Sequence, residues 1–366
     1  MPLLKIHCRN FRNYKESVVE FPAGGAFLSG ANGSGKTNLL EAIHMLCTAR
    51  SQRAASKMEM IAMDAECASL NGEFSDGDHG EPGNDYFLSF DRAGNSLLKI
   101  NDRKFRTFSE WFGSRPIVSF ATGDTELVYG PPEARRRFLD ILISLVDKEY
   151  LIALIEYRKN LSLRNKLLKT SGDELLCAIY EENMAVSGSI IVEKRMETVS
   201  VLEKEGGRIY REIGGHNNEE FSLAYEPSAK TDFNSKNAWK NVFYSMLSER
   251  RKCDREMGFS SCGPHRDEVG LFIDSNTAKS YASQGQCRSI ALSLKLSAMH
   301  CLEAKGAKKI IILFDDAVSE LDPERTECFF SLIENRGQVF IASPTDEAGV
   351  QGLPILNVAA LTGSAQ

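Results

Sequence analysis

No stretch of this chain reaches the about 20 consecutive apolar residues that a membrane-crossing helix needs. The N-terminus, MPLLKIHCRNFRNY, turns polar within a few residues, which excludes the apolar core of a secretory signal. Cysteine is present but never paired in sequence. Cys8, Cys47, Cys67, Cys177, Cys253, Cys262, Cys287, Cys301 and Cys328 stand singly, without a CxxC to chelate zinc. Nine is also an odd number for a disulfide framework. These absences point to a reduced, cytoplasmic protein with no membrane partner. An excess of positive charge is missing too: 44 Lys and Arg face 50 Asp and Glu, a net charge of -6. A uniformly basic nucleic-acid coat is thereby excluded, although local patches bind phosphate whatever the total. Internal repeats and low-complexity tracts are absent.

What is present is ordinary globular composition, 42% hydrophobic and 26% charged over 366 residues, enough for one large or two medium domains. Leu4 and Ile6, then Val18, Val19 and Phe21, then Ala26-Phe27-Leu28 after a Pro22/Gly24-Gly25 turn, predict two or three strands. From Ala68 to Phe108 the pattern is again β. FDRAGNSLLKIN reads as a hairpin and SDGDHGEPGND as a loop. After Pro131-Pro132 the spacing of Phe138, Leu142 and Leu145 is helical. Helical patterns continue to about Ile213, with a break near Ser171-Gly172. From Gly263 the chain returns to mixed structure, with KKIIILFDD and QVFIAS as buried strands.

Gly30-Ala31-Asn32-Gly33-Ser34-Gly35-Lys36-Thr37 fits GxxxxGK[ST] in full, and Asn38 follows it. An apolar strand precedes the motif. A helix with Leu39, Leu40, Ile43 and Leu46 on one stripe follows. In that context the glycines let backbone N–H groups turn inward on phosphate, Lys36 reaches the β- and γ-phosphates, and the Thr37 hydroxyl binds Mg²⁺. The site needs a carboxylate that holds the metal by orienting its waters. IIILFDD supplies Asp315 at the end of a buried strand, and Asp316 beside it to polarise an attacking water. A second loop, Ser283-Gln284-Gly285-Gln286, opens another amphipathic helix. Taken alone it reads as a helix capped by Ser283. As a phosphate site it makes sense on a partner chain, closing over the first chain's P-loop.

Motif order favours the second reading. P-loop, helical insertion, SQGQ, paired aspartates and then SELD at Ser319–Asp322 is the order of an ABC-type ATPase head. NFRNY at Asn10–Tyr14, GANGSGKTNLLEAIHML, GPPEARRRFLD, EYRKNLSLRNKLLK, GPHRDEV at Gly263–Val269, SQGQCRSIALSLKL and DDAVSELDPER together resemble the RecF family of bacterial recombination mediators, over nearly the whole chain. The resemblance implies an α/β fold. A P-loop ABC-type ATPase lobe, with a mixed β core, would be built from 1–115 and 263–366. A mostly helical lobe would occupy 116–262. It implies ATP and Mg²⁺ as cofactors, with Lys36, Asp315 and Asp316 catalytic and Arg12 near the nucleotide. Ser283, Gln284, Gly285 and Gln286 would act in trans with Asp322 of the D-loop. It implies an ATP-dependent homodimer that clamps double-stranded or gapped DNA and works with RecR and RecO to load RecA. It also implies weak, DNA-stimulated ATP hydrolysis, slow in turnover, and a place at the nucleoid.

The chain departs from the family pattern in places. A usual Pro-Glu-Asp appears as FATGDTEL, retaining Asp124. Phe314 stands where Leu is usual, and Glu268 where a second Asp is common. IASPTD offers Ser343 or Thr345 as γ-phosphate sensor, because the histidine of transporter heads is absent. An ABC transporter subunit would carry LSGGQ, and an SMC head hundreds of coiled-coil residues. An ATP-gated DNA scaffold without turnover is the other reading. Asp316 is one bond shorter than the usual Glu, which favours slow hydrolysis. For DNA, Arg135, Arg136, Arg137, Lys159 and Arg164 are the candidates, although the three consecutive arginines span nearly a full helical turn and do not share one face. His265 is expected to be a hydrogen-bonded structural histidine.

Overall fold

The computed structural model describes residues 2–54, 56–75, 83–170, 173–214, 219–229, 236–316, 323–343 and 353–361. The chain separates into two compact units, Met1–Asp124 with Leu302–Gln366, and Thr125–Cys301. These bounds differ from the lobes expected from sequence. Residues 263–301 group with the helices, and 116–124 with the P-loop. The second difference has a simple cause: the apolar run IVSFA pairs in parallel with the strand that ends in Asp315.

Along the first unit run β1 (Leu3–Phe11), β2 (Tyr14–Glu20), β3 (Gly25–Ser29), α1 (Lys36–Thr48), β4 (Cys67–Phe74), β5 (Asn84–Asp91), β6 (Ser96–Ile100), β7 (Arg103–Phe105), α2 (Phe108–Trp111) and β8 (Ile117–Ala121). Six of these strands form an antiparallel sheet in the order β2-β1-β4-β5-β6-β7. Alternation sets its inner face: Tyr86, Leu88 and Phe90 of β5 are buried while their neighbours are not. The expected hairpin is β5–β6. The expected SDGDHGEPGND loop falls mostly outside the described residues. Strand β3 is buried throughout, as a strand covered on both faces of a parallel sheet must be.

The second unit holds α3 (Glu126–Tyr129), α4 (Pro132–Val146), α5 (Lys148–Leu168), α6 (Glu174–Gly214), β9 (Phe221–Glu226), α7 (Lys236–Met257), β10 (Glu268–Ile273), β11 (Asn276–Thr277), α8 (Ala278–Tyr281) and α9 (Gln284–Ala304). The three strands pair antiparallel in the order β11-β10-β9. Helix α6 is long and apolar enough, by length and composition alone, to cross a membrane, yet half of its most apolar window is buried within the protein. The expected break at Ser171-Gly172 lies outside the described residues.

Buried charge ties this unit together. Arg164 of α5 is fully buried. Its guanidinium donates to Glu181 Oε1 (3.0 Å), Asp254 Oδ2 (2.7 Å), Ser260 Oγ (2.7 Å) and the Leu247 carbonyl (3.0 Å). Arg195 of α6 likewise donates to Asp140 Oδ1 (2.7 Å) and the Pro264 carbonyl (2.7 Å). His265 is held on both ring nitrogens: Nε2 donates to the Ser260 carbonyl (3.0 Å), so Nδ1 accepts from Tyr157 OH (2.7 Å). Burial pushes its pKa down to about 4, below the usual 6.5. The unfolded chain therefore takes up a proton that the fold resists. Stability present above pH 6.5 is lost as pH falls towards 4, by about 3 kcal/mol at most. Urea titrations of this protein between pH 7 and pH 4 are expected to show that loss, and His265→Asn to flatten it. A variant with the same profile as the unsubstituted protein contradicts this assignment.

Back in the first unit, β12 (Ile310–Asp315), α10 (Pro323–Ile333), β13 (Gly337–Ala342) and β14 (Ile355–Asn357) complete a parallel sheet in the order β14-β3-β13-β12-β8. Phe314 is explained by packing: its ring stacks on Phe120 (centroids 4.6 Å apart) and meets Phe329 edge-on (5.0 Å). Because these strands are parallel, the carboxyl ends of β3 and β12 lie along the same sheet edge. The P-loop follows one, and Asp315 ends the other.

Candidate functional site

The loop from Gly30 to Gly35 joins β3 to α1 through three glycines in the left-handed half of backbone space, at φ 146 (Gly30), 81 (Gly33) and 110 (Gly35). Gly35 is required twice over. Its φ disfavours any side chain, and a Cβ there would lie 2.7 Å from Asn13 Nδ2 and 3.0 Å from Tyr14 OH. Since Gly35 is also the N-cap of α1, no side chain caps the first turn, and its amides face outward as donors. The Ser34 hydroxyl is buried with no hydrogen-bond partner among the described residues. Lys36 is buried and folds back, its Nζ donating to the carbonyls of Gly30 (2.6 Å) and Ala31 (3.2 Å). Orphaned donors and a lysine held by weak carbonyl acceptors fit a bound phosphate chain.

Thr37 Oγ1 donates to Asp315 Oδ1 at 2.7 Å, across 278 positions of sequence. Burial raises the Asp315 carboxyl above its ordinary range, and the neighbouring charge of Asp316 adds to this. The Thr37 hydrogen bond and the positive Arg53 and Lys36 oppose it. After Asp315 the chain leaves the strand through a left-handed residue, Asp316 (φ 56), whose amide donates to the Ala342 carbonyl (3.0 Å). Among the described residues, no group of three or more His, Cys, Asp or Glu offers a metal site of its own. A hard cation beside Thr37 and Asp315 would therefore draw further oxygens from a phosphate chain and water, as Mg²⁺ does.

The β1–β2 turn supports the loop from one side, which the motif alone does not reveal. Asn13 Nδ2 donates to the Ser34 carbonyl (3.3 Å), Tyr14 OH donates to the Gly35 carbonyl (3.0 Å), and Asn38 Nδ2 donates to Asn13 Oδ1 (2.9 Å). Asn38 is thus tied to the turn. Arg12 donates through Nε (2.9 Å) and Nη2 (3.0 Å) to both oxygens of Glu41 on α1, and through Nη1 to the Glu59 carbonyl (2.9 Å). Asp124 caps its own turn by accepting from the Ala121 amide at 2.8 Å.

In the other unit, Ser283 and Gln286 form a reciprocal capping box. Ser283 N donates to Gln286 Oε1 (2.7 Å), and Gln286 N to Ser283 Oγ (3.2 Å). Gln286 Nε2 also donates to Glu219 Oε1 (3.0 Å). Ser283 and Gln284 are exposed, and Gly285 and Gln286 half-buried, at the start of a helix of 21 residues. Ser343 is buried at the end of β13. Asp322 and Thr345 lie outside the described residues.

The DNA candidates need correction. Arg135 is buried, pairs through both Nε and Nη2 with Glu268 (2.9 Å each), and caps α3 by donating to the carbonyls of Leu127 (3.1 Å) and Gly130 (3.2 Å). Arg136 is buried on the Asp267 carbonyl (2.6 Å). Arg164 is the core ion pair described above. A phosphate reaches none of the three without breaking the fold. Arg137 and Lys159 are exposed.

A family model described as RecF/RecN/SMC N terminal domain matches residues 2–359. The DNA replication and repair protein RecF of Ligilactobacillus salivarius is 34% identical over 352 residues, covering 94% of this chain and 91% of its own. That of Caldanaerobacter subterraneus subsp. tengcongensis is 33% identical over 358 residues, covering 96% of each. Among solved structures, the recombination mediator protein RecF-ATP of the RecFOR pathway matches with a TM-score of 0.88 at 32% identity, covering 95% of this chain and 93% of that one. The Smc head domain from Pyrococcus furiosus matches at a TM-score of 0.53 and 18% identity, over 94% and 90% of the two chains, a likeness of fold alone. With a P-loop, a facing strand-end carboxylate and full-length relatives of one kind, the chain belongs to the RecF family of DNA replication and repair proteins, built on the fold of an SMC-type ABC ATPase head.

Proposed function

We propose that this chain is an ATP-dependent DNA-binding protein whose ATP-bound dimer clamps double-stranded or gapped DNA, and whose slow hydrolysis releases it. The observation that carries the reading is the Thr37–Asp315 hydrogen bond beside a P-loop lysine still bonded to its own loop. Bound Mg²⁺ would supply charge neutralisation at the β- and γ-phosphates. Lys36 would exchange the Gly30 and Ala31 carbonyls for phosphate oxygens, and Ser34 and the α1 amides would add donors. Asp316 would take the proton of the attacking water at its carboxylate. In the dimer, Ser283, Gln284, Gly285 and Gln286 of one chain would close over the other chain's nucleotide, with Asp322 beside them. The exposure of Ser283 and Gln284 supports this, because a capping box leaves one face of the helix start to a partner.

By family membership the clamp is proposed to act with RecR and RecO in loading RecA. Asp316 is a shorter base than glutamate, so turnover by the purified protein without DNA is expected to be slow, as suits a timer. Rapid DNA-independent hydrolysis in a phosphate-release assay contradicts that part of the reading.

A further inference from the structure

One face of α5 carries a row of cations, two of which the fold leaves without an ion pair among the described residues. Arg158, Ser162, Asn165 and Lys169 follow the i, i+4, i+7, i+11 spacing of a straight helical stripe, and Lys166 flanks it. With Leu161 these residues line a groove of ≈ 460 Å³. No carboxylate is among them. Lys166 and Lys169 are exposed and make no ion pair among the described residues. The Arg158 side chain is 54% exposed, and its one carboxylate partner among the described residues, Asp140, is shared with Arg195. Asn165 Oδ1 already accepts from Ser260 N (2.8 Å) and Ser260 Oγ (2.7 Å), so what it has left to offer is its amide N–H groups. The acids buried beneath are neutralised from within: Asp254 by Arg164, and Glu181 by Arg164 and Arg251. The groove is thus a row of donors and positive charge on a chain of net charge -6.

We infer that this face of α5 is a contact surface for the phosphate backbone of duplex DNA, an assignment that rests on the DNA-binding reading above. Phosphate oxygens only accept, and a surface of donors without carboxylates complements them. From Arg158 to Lys169 the helix rises about 16 Å, the axial length of about five base pairs, so its cations reach separate phosphates. Exposed Lys159 extends the positive edge of the helix. Contacts of this kind position a duplex without reading its sequence.

The test is Lys166→Glu combined with Lys169→Glu in the full chain, with ATP, binding a fluorescent duplex over a range of salt. Affinity is expected to fall at least about tenfold. The slope of log affinity against log salt should flatten by about 2, for two lost phosphate contacts. ATP affinity should stay unchanged. A photo-crosslinking residue at Ser162 should also couple to the duplex, which reports the contact without relying on lost binding. If the unsubstituted protein binds duplex while the double variant keeps its affinity and slope, or Ser162 never couples, this surface is wrong. If the unsubstituted protein binds no duplex, the DNA-binding reading fails, and the surface with it.

Discussion

Asp315→Asn is expected to lower single-turnover ATP hydrolysis by about 10- to 100-fold, the range typical of removing a group that orients a metal's ligands. Asp315 accepts the Thr37 hydroxyl at 2.7 Å and is the strand-end carboxylate facing the P-loop. An amide there halves the acceptors and removes the negative charge that a cation needs. The substitution should not weaken the fold. The carboxyl is raised above its ordinary range by burial and by Asp316, so at neutral pH its ionised form costs the native state stability. That cost disappears as pH falls through the raised pKa. Asn removes it at every pH. The expected pair of results is lost hydrolysis with equal or higher thermal stability, and ATP still bound through Lys36 and the loop amides. Unchanged hydrolysis contradicts the role given to Asp315.

Arg164→Met is the other large effect, and it falls on stability. The substitution removes the guanidinium between two carboxylates that have no exposed side-chain surface, Glu181 and Asp254. Arg251 still reaches Glu181, but Asp254 loses the ion-pair partner it has among the described residues. Removing one side of a buried ion pair costs about 3–5 kcal/mol, because the remaining charge stays out of water. Urea denaturation followed by helical circular dichroism should show the second unit unfolding at markedly lower denaturant. A variant of unchanged stability that binds DNA weakly would instead return Arg164 to the phosphate-contacting role that its sequence context implies.

That contrast shows where sequence legibility ended. The Walker-type motif is local. Its glycines, Lys36 and Thr37 announce phosphate chemistry by spacing alone, and an apolar strand ending in Asp315 is equally legible because burial followed by a carboxylate is unusual. Partners of charged helix residues are not local. In RKNLSLRNKLLK, Arg164 looks like Lys166, yet one is fully buried against residues 17 and 90 positions away while the other is exposed. The same blindness hid the Asn13–Ser34 and Tyr14–Gly35 contacts, although NFRNY stood out as a motif. It also placed IVSFA in the wrong lobe, since a five-residue strand at a sheet edge takes its address from β12. Ser283-Gln284-Gly285-Gln286 is the instructive middle case. The capping reading is present in the structure, and Ser283 and Gln284 are exposed beside it.

The central claim is that two chains share their nucleotides, and mass in solution tests it most directly. Light scattering with and without ATP, on the unsubstituted protein and on Ser283→Arg, should show a monomer that doubles with ATP and a variant that binds ATP but does not double. A protein that binds ATP and keeps its monomer mass, or a Ser283→Arg variant that doubles as well as the unsubstituted chain, contradicts the account and leaves Ser283 as a helix cap.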